Sequence, residues 1–323
     1  MTIVSFPGSE WNPQLETILK KYMVGGLIFF GGNIVGELSL VKKLNRKIKK
    51  TALSKSPGWP AFITVDEEGG SVSRLKGLIG EFPSQKAAAL SKTQKDFKKT
   101  VSGLYGGVSR LGFNVTWSPV LDIDTNPNNP VIGDRAFSDN PEAVSSFGKM
   151  AIEQARKAGL YTAVKHFPGH GDTVVDSHKT LPVVKTDMQK MKERELRPFR
   201  MAVREKVDFI MTAHILFQKV DPAYPVTFSE KFIKKMLRND MGFKGLVVSD
   251  DLNMGAAANR YPLDERIMLA VNAGVDILLI RADYAETVEF LETFHTLLSK
   301  GDISQSRMRE SLNRIEKIKS RAL

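Results

Sequence analysis

The chain has 323 residues, 42% of them hydrophobic, enough to bury the core of one large barrel or two medium domains. It contains no cysteine, which excludes disulfides, a thiol nucleophile and a thiolate-held metal. The formal net charge is +11, yet the basic clusters at 42–50, 95–99 and 307–321 lack the interleaved aromatics of a nucleic-acid groove. Leu40, Val41, Leu44 and Ile48 recur at helical spacing inside the first cluster, so its lysines are expected on the solvated face of an amphipathic helix.

Short apolar runs alternate with longer helical patterns along the chain. Ile3 to Phe6 reads as a strand. Pro13 to Tyr22 reads as a helix, with Asn12 as N-cap and Pro13 in the first helical position. Gly26 to Phe30 is a second strand and Leu38 to Leu53 a helix. Ala61 to Val65 is a third strand, with Asp66 at its end. A helix fits Gln94 to Leu111, a strand Phe113 to Trp117, and a helix Glu142 to Ala158. Tyr161 to Lys165 is the fifth strand, Asp187 to Arg204 a helix and Asp208 to Thr212 the sixth strand. Ser229 caps a helix that runs to Asp240. Gly245 to Ser249 is the seventh strand, Leu263 to Asn272 a helix and Val275 to Ile280 the eighth strand. Two helices follow, Tyr284 to Lys300 and Ser304 to Ser320.

Eight strands, each followed by a helix, is the count of a (β/α)8 TIM barrel in one domain over residues 1–323. Continuous apolar strands suit a parallel sheet buried on both faces. A doubly wound open sheet would give the same alternation. The barrel is favoured because Asp66, Lys165-His166, His214 and Asp250-Asp251 all fall at the C-terminal ends of strands, and a barrel gathers those ends into one ring. No apolar run approaches about 18 residues, so no membrane span is expected. The N-terminus shows no signal-peptide pattern, and the chain reads as a cytoplasmic protein, expected to be monomeric.

Chemistry concentrates in Lys165 to Pro182. Three of the five histidines, His166, His170 and His178, stand there among Asp172, Asp176, Gly169 and Gly171. A polar loop hung from the end of a buried strand is a place for reacting groups. The bland alternative is a turn whose histidines cap backbone groups. Val247 to Met254 ends the seventh strand with two carboxylates, of which Asp251 alone could be a helix N-cap.

Taken together, Lys165-His-Phe-Pro-Gly-His-Gly-Asp172, Asp176-Ser-His178, Asp66-Glu-Glu-Gly-Gly70, Asn129 to Phe137, Met211-Thr-Ala-His214 and Ser249 to Met254 resemble family 3 glycoside hydrolases. The match is to the bacterial β-N-acetylglucosaminidase branch. The motifs occur in the family's order over essentially the whole chain. The resemblance implies a retaining exo-glycosidase acting on small carbohydrates that end in β-linked N-acetylglucosamine, with no cofactor or metal. It implies Asp250 as nucleophile, and only the family pattern selects it over Asp251. It implies His178 as acid/base, with Asp176 holding its imidazole. A carboxylate can attack an anomeric carbon and leave again as a stabilised anion, and an imidazole can give and take a proton near neutral pH. Asp66, Arg74, Arg135, Lys165 and His166 are implied as the sugar-binding ring, with His170 and His214 supporting it. In an extended loop Asp176 and His178 would share a face. The chain departs from the family at Ser71, where arginine is usual, which bears on the packing of that loop. It resembles the single-domain type, with the acid/base supplied by the loop bearing His178.

Two rivals remain at this stage. His166, His170, Asp176 and His178 could ligate a metal on paper, but they lack fixed helical spacing. A non-catalytic sugar-binding barrel would not need a nucleophile and a His–Asp pair together. Within the glycosidase reading, a neutral histidine in place of a second carboxylate could admit phosphate in place of water.

Overall fold

The computed structural model describes residues 1–54 and 59–322. Eight parallel strands form its centre: β1 (Thr2–Val4), β2 (Gly26–Phe29), β3 (Phe62–Val65), β4 (Val115–Thr116), β5 (Ala163–Phe167), β6 (Phe209–Thr212), β7 (Leu246–Asp251) and β8 (Ile277–Ile280). Their order around the sheet is β4-β3-β2-β1-β8-β7-β6-β5. The ring closes between β4 and β5 through bridges Val115 to Tyr161 and Val120 to Lys165. The sequence-based (β/α)8 barrel is therefore the fold, and the open sheet is excluded.

Each strand buries both faces, as its apolar run requires. Ile3, Ile28, Phe62, Trp117, Phe209, Met211, Val248 and Leu279 fill the interior. Their neighbours Val4, Leu27, Phe29, Ile63, Ile210 and Val247 pack outward against the helices. Phe62 and Trp117 meet Phe209 edge-on, with ring centroids 5.1 and 5.6 Å apart, a geometry that adds quadrupole attraction to area burial.

The helices match the expected pattern with local exceptions. Asn12 caps Pro13–Lys20 through its carbonyl, which accepts from the Leu15 N–H at 2.8 Å. Leu38–Leu53 buries Val41, Leu44 and Ile48 as expected, but Leu40 is exposed. The expected helix from Asp187 to Arg204 is two helices, Met188–Glu193 and Leu196–Arg204. The break falls at Arg194, whose guanidinium turns inward to Asp172 and Glu195. Lys231–Asp240 is wound as a π-helix. The Ser229 hydroxyl still accepts from the Phe232 N–H at 3.3 Å while donating to Asp221.

The final helix, Gln305–Lys319, covers the N-terminal end of the barrel, where Ile315 and Ile318 join the interior cluster. Lys319 is buried beneath the ring, donating to the Gly25 carbonyl at 2.8 Å, with its ammonium 4.5 Å from the Phe62 ring centroid. Asp276, just before β8, is fully buried. It accepts from Ser311 at 2.7 Å and Arg314 at 2.9 Å, and pairs with Arg238 and Arg307. No helix among the described residues is long and apolar enough to cross a membrane.

Candidate active site

The C-terminal ends of the strands carry the polar residues. At the end of β5, the Lys165 ammonium sits between Asp66 at 2.7 Å and Glu68 at 2.6 Å. Glu68 also receives both arms of the Arg135 guanidinium, each at 2.9 Å. Burial alone would raise the Glu68 carboxyl. Arg135 and Lys165 overcome that effect and hold it well below the usual carboxylate range. Burial likewise works against the charge on Lys165, and Asp66 and Glu68 more than restore it. Removing one member would strand a buried charge, so these four residues form one rigid unit.

Beside them His166 is fixed by Asp122, whose carboxylate lies 2.6 Å from Nδ1. The same carboxylate accepts from the backbone N–H of His166 at 3.3 Å and of His170 at 2.7 Å. Neither Glu68 nor Asp122 figured among the sequence-derived site residues. Glu68 lay inside a quoted motif. Asp122 lay in an apolar stretch after the fourth strand, with its partners 44 and 48 positions away.

Asp250 and Asp251 end β7 in different environments. Burial pushes the Asp250 carboxyl upward, but the His166 and His214 imidazoles, the Asp251 N–H and the Lys165 ammonium outweigh it and keep it below the ordinary range. Asp251 is raised to about 6, by burial first and by the neighbouring Asp250 charge. Its Oδ1 accepts from the Asn253 N–H at 3.0 Å and the Arg281 N–H at 2.9 Å. Asp251 thus clips the turn after β7 to the end of β8, and the helix Gly255–Ala258 has no side-chain cap. The pair is split into an ionised carboxylate and a structural one, the division that assigns separate roles to adjacent acids.

His214 supports this floor: its Nε2 lies 3.0 Å from the Asp251 carbonyl and its Nδ1 2.8 Å from the Thr227 hydroxyl. Burial lowers its pKa. With a backbone carbonyl as acceptor, Nε2 carries the proton.

The loop after β5 is anchored at many points. Asn129 donates to the His170 and Gly171 carbonyls and to the Thr173 hydroxyl. Asp172 accepts from Thr125 at 2.6 Å and Thr186 at 2.9 Å, and from Arg194. Gly171 has no room for a side chain: a Cβ there would lie 1.6 Å from the Ile123 carbonyl. His170 is buried between the Ser177 and Thr173 hydroxyls, each 2.9 Å from a ring nitrogen. Burial depresses its pKa to about 4.

From this base the chain turns outward to His178. Asp176 Oδ1 accepts from the His178 backbone N–H at 2.9 Å and lies 2.7 Å from its Nδ1. The expected pairing is present, but it arises in a tight turn, where Lys179 and Thr180 donate to the Asp176 carbonyl, and not across an extended strand. The His178 side chain is 63% exposed. Its loop is docked on the segment that follows β7: Ala256 N–H donates to Ser177 O, Gly255 N–H to His178 O, and the Asn259 amide to Lys179 O. A Cβ at Gly255 would meet the Lys179 carbonyl at 2.4 Å. His178 and Asp251 line one cleft of about 630 Å³.

Arg74 stands apart from this bonded cluster. It is exposed, and among the described residues it joins no ion pair within the chain. Its backbone N–H and that of Leu75 serve the Glu67 carboxylate. Ser71 is exposed in the turn between the short strands Glu67–Gly69 and Val72–Ser73, and that hairpin forms without an arginine there.

The chain matches the family model described as the glycosyl hydrolase family 3 N-terminal domain over residues 1–318. It is 32% identical over 332 aligned positions to β-hexosaminidase A of Pseudoalteromonas piscicida, covering 96% of this chain and 55% of that protein. It is 31% identical to the β-hexosaminidase of Idiomarina loihiensis, covering 90% of this chain and 86% of the relative. A solved family 3 β-N-acetylglucosaminidase from a Paenibacillus strain superposes with a TM-score of 0.94 at 34% identity, covering 99% of this chain and 61% of that one. The chain thus spans under two thirds of the first of these relatives and of that solved protein. By its motifs, its barrel and these similarities, the chain belongs to glycosyl hydrolase family 3.

Proposed function

We propose that this barrel is a retaining exo-β-N-acetylglucosaminidase, releasing terminal β-linked N-acetylglucosamine from peptidoglycan-turnover fragments or chitooligosaccharides. The observation that carries this reading is two differently prepared groups, one at the end of β7 and one on the loop docked against the segment that follows it. Asp250 is held ionised among cationic and imidazole partners. His178 has its Nδ1 committed to Asp176, which leaves Nε2 free on the wall of the cleft it shares with Asp251. The names of the relatives, β-hexosaminidases and a β-N-acetylglucosaminidase, support the choice of sugar.

In the proposed cycle an Asp250 oxygen attacks the anomeric carbon as the glycosidic C–O bond breaks, and His178 Nε2 gives its proton to the departing oxygen. A glycosyl ester on Asp250 results. His178, now neutral, takes a proton from water, the hydroxyl adds to the anomeric carbon, and Asp250 leaves as carboxylate. Asp176 keeps the imidazole in the tautomer that presents Nε2 and stabilises the imidazolium, the role of the acid in other His–Asp pairs. Asp66, Lys165, Arg135 and His166 supply hydrogen-bonding groups for the sugar's hydroxyl and acetamido groups, and exposed Arg74 is a donor free to close over it.

Trapping with a 5-fluoro N-acetylglucosaminide followed by peptide mapping tests the scheme. The adduct is expected on the peptide bearing Asp250, at that residue. Turnover without any adduct, or an adduct on Asp251, would remove Asp250 from the role.

A further inference from the structure

The cleft walled by His178 opens over the C-terminal ends of β1, β2, β7 and β8. Its volume, about 630 Å³, falls in the range of sites that enclose small organic ligands. His178, the proposed acid, and Asp251, next in sequence to the proposed nucleophile, both line it, so the group on the oxygen that His178 would protonate is assigned to this cleft. The charges lining the cleft are Asp251, Asp283 and Glu286 against one guanidinium, Arg281. That guanidinium lies 4.7 Å from the centroid of the Phe30 ring. Asp283 and Glu286 are held in place by a reciprocal capping box at the start of Tyr284–Lys300. With protonated His178 balanced by its partner Asp176, three carboxylates against one guanidinium reverse the sign of a chain whose formal charge is +11. A remote positive surface does not correct this, because charges farther than about 8 Å are screened at physiological salt.

We infer that this cleft is the leaving-group subsite and that it selects sugars that are uncharged or bear an ammonium over sugars bearing a carboxylate beside the scissile bond. Chitin-type amino sugars fit that description, and a ring with a free lactyl carboxylate does not. Arg281 offers donors to ring hydroxyls, and the carboxylates of Asp283 and Glu286 accept from hydroxyl or ammonium groups. The inference rests on the glycosidase reading and sharpens its substrate class.

The test compares kcat/KM for three disaccharides with the same N-acetylglucosaminyl group, attached to N-acetylglucosamine, to glucosamine, or to a 3-O-lactyl sugar with a free carboxylate. The full chain and a Glu286→Gln variant are assayed at low and at high salt. Gln keeps the capping geometry. The carboxylate-bearing substrate is expected to be poorer than the glucosamine one by about tenfold or more at low salt, with the gap shrinking in high salt and in Glu286→Gln. A carboxylate-bearing substrate that is preferred, or a ratio unmoved by salt and by the substitution, overturns the inference. An aryl N-acetylglucosaminide runs alongside. If it is turned over and the ratio does not move, only the subsite selectivity falls; if neither it nor any disaccharide is cleaved, the glycosidase reading falls and the subsite with it.

Discussion

In the proposed cycle Asp250 and His178 do different work, so their losses should differ in kind. Asp250→Ala should lower turnover by roughly 10,000-fold while the melting temperature stays within about 4 °C. Near-native activity in that variant would refute the nucleophile. His178→Ala should cost roughly 100- to 10,000-fold on poor leaving groups and far less on an activated aryl glycoside, because a stabilised phenolate leaves without a proton. Equal losses on both substrates would argue against acid/base work. Glu68 belongs to the frame beneath them. Glu68→Ala leaves Lys165 and Arg135 without their shared counterion and should destabilise by about 3–5 kcal/mol, read from denaturant midpoints. At this scale the sequence exposed the residues that stand in dense polar motifs: Asp176, His178, Lys165, His166 and the acid pair. Asp122 and Glu68 escaped because what marks them is their company. Glu68 meets Arg135 across 67 positions, and no local pattern encodes such a meeting.

The loop between β5 and the helix at Met188 is the element on which the site turns. Its buried histidine gives it a pH signature. His170 is depressed from 6.5 to about 4 in the folded chain. Above pH 6.5 it is neutral in both states and costs nothing. As pH falls from 6.5 toward 4 the unfolded chain takes up the proton first, so stability is lost across that window, by about 3 kcal/mol in total from this one group. His170→Asn should therefore unfold in urea with a midpoint less sensitive to pH between 6.5 and 4 than the native chain. An unchanged slope would show that His170 titrates freely. The existence and order of the elements were legible, because strand and helix periodicities are local. The interruption at Arg194 was not, because the residue that turns inward answers to Asp172, 22 positions earlier. The turn at Asp176 departs from the extended loop for a similar reason: one carboxylate serves both the backbone and the ring of His178, which the spacing alone leaves open.

The barrel as a whole has a chemical top and a structural bottom, and the bottom carries a cost. Lys319 is pressed by burial from 10.5 to about 7. Near pH 10.5 it costs little. As pH falls toward 7 the unfolded chain gains a proton that the folded chain resists, and the penalty is complete below 7. Lys319→Met should thus stabilise the fold on the order of 1–3 kcal/mol at pH 6, with the gain fading toward pH 10. A variant less stable at pH 6 would show that the bond to Gly25 outweighs the burial. The eightfold count pointed to this architecture from sequence alone, because strand-end polarity distinguishes a ring from an edge. The plug of Ile315, Ile318 and Lys319 was invisible as such, since an amphipathic terminal helix does not announce which surface it will cover.

Asp276 has a consequence in time. Its compensating arginines, Arg307 and Arg314, are made roughly thirty to forty residues after it, when most of the barrel has already left the ribosome. Until they emerge, that acid is answered among the described residues by the Arg238 guanidinium and the Val247 N–H. During synthesis the staves are ready before the hoop: Arg307 and Arg314 follow every strand of the barrel, and their helix draws it tight.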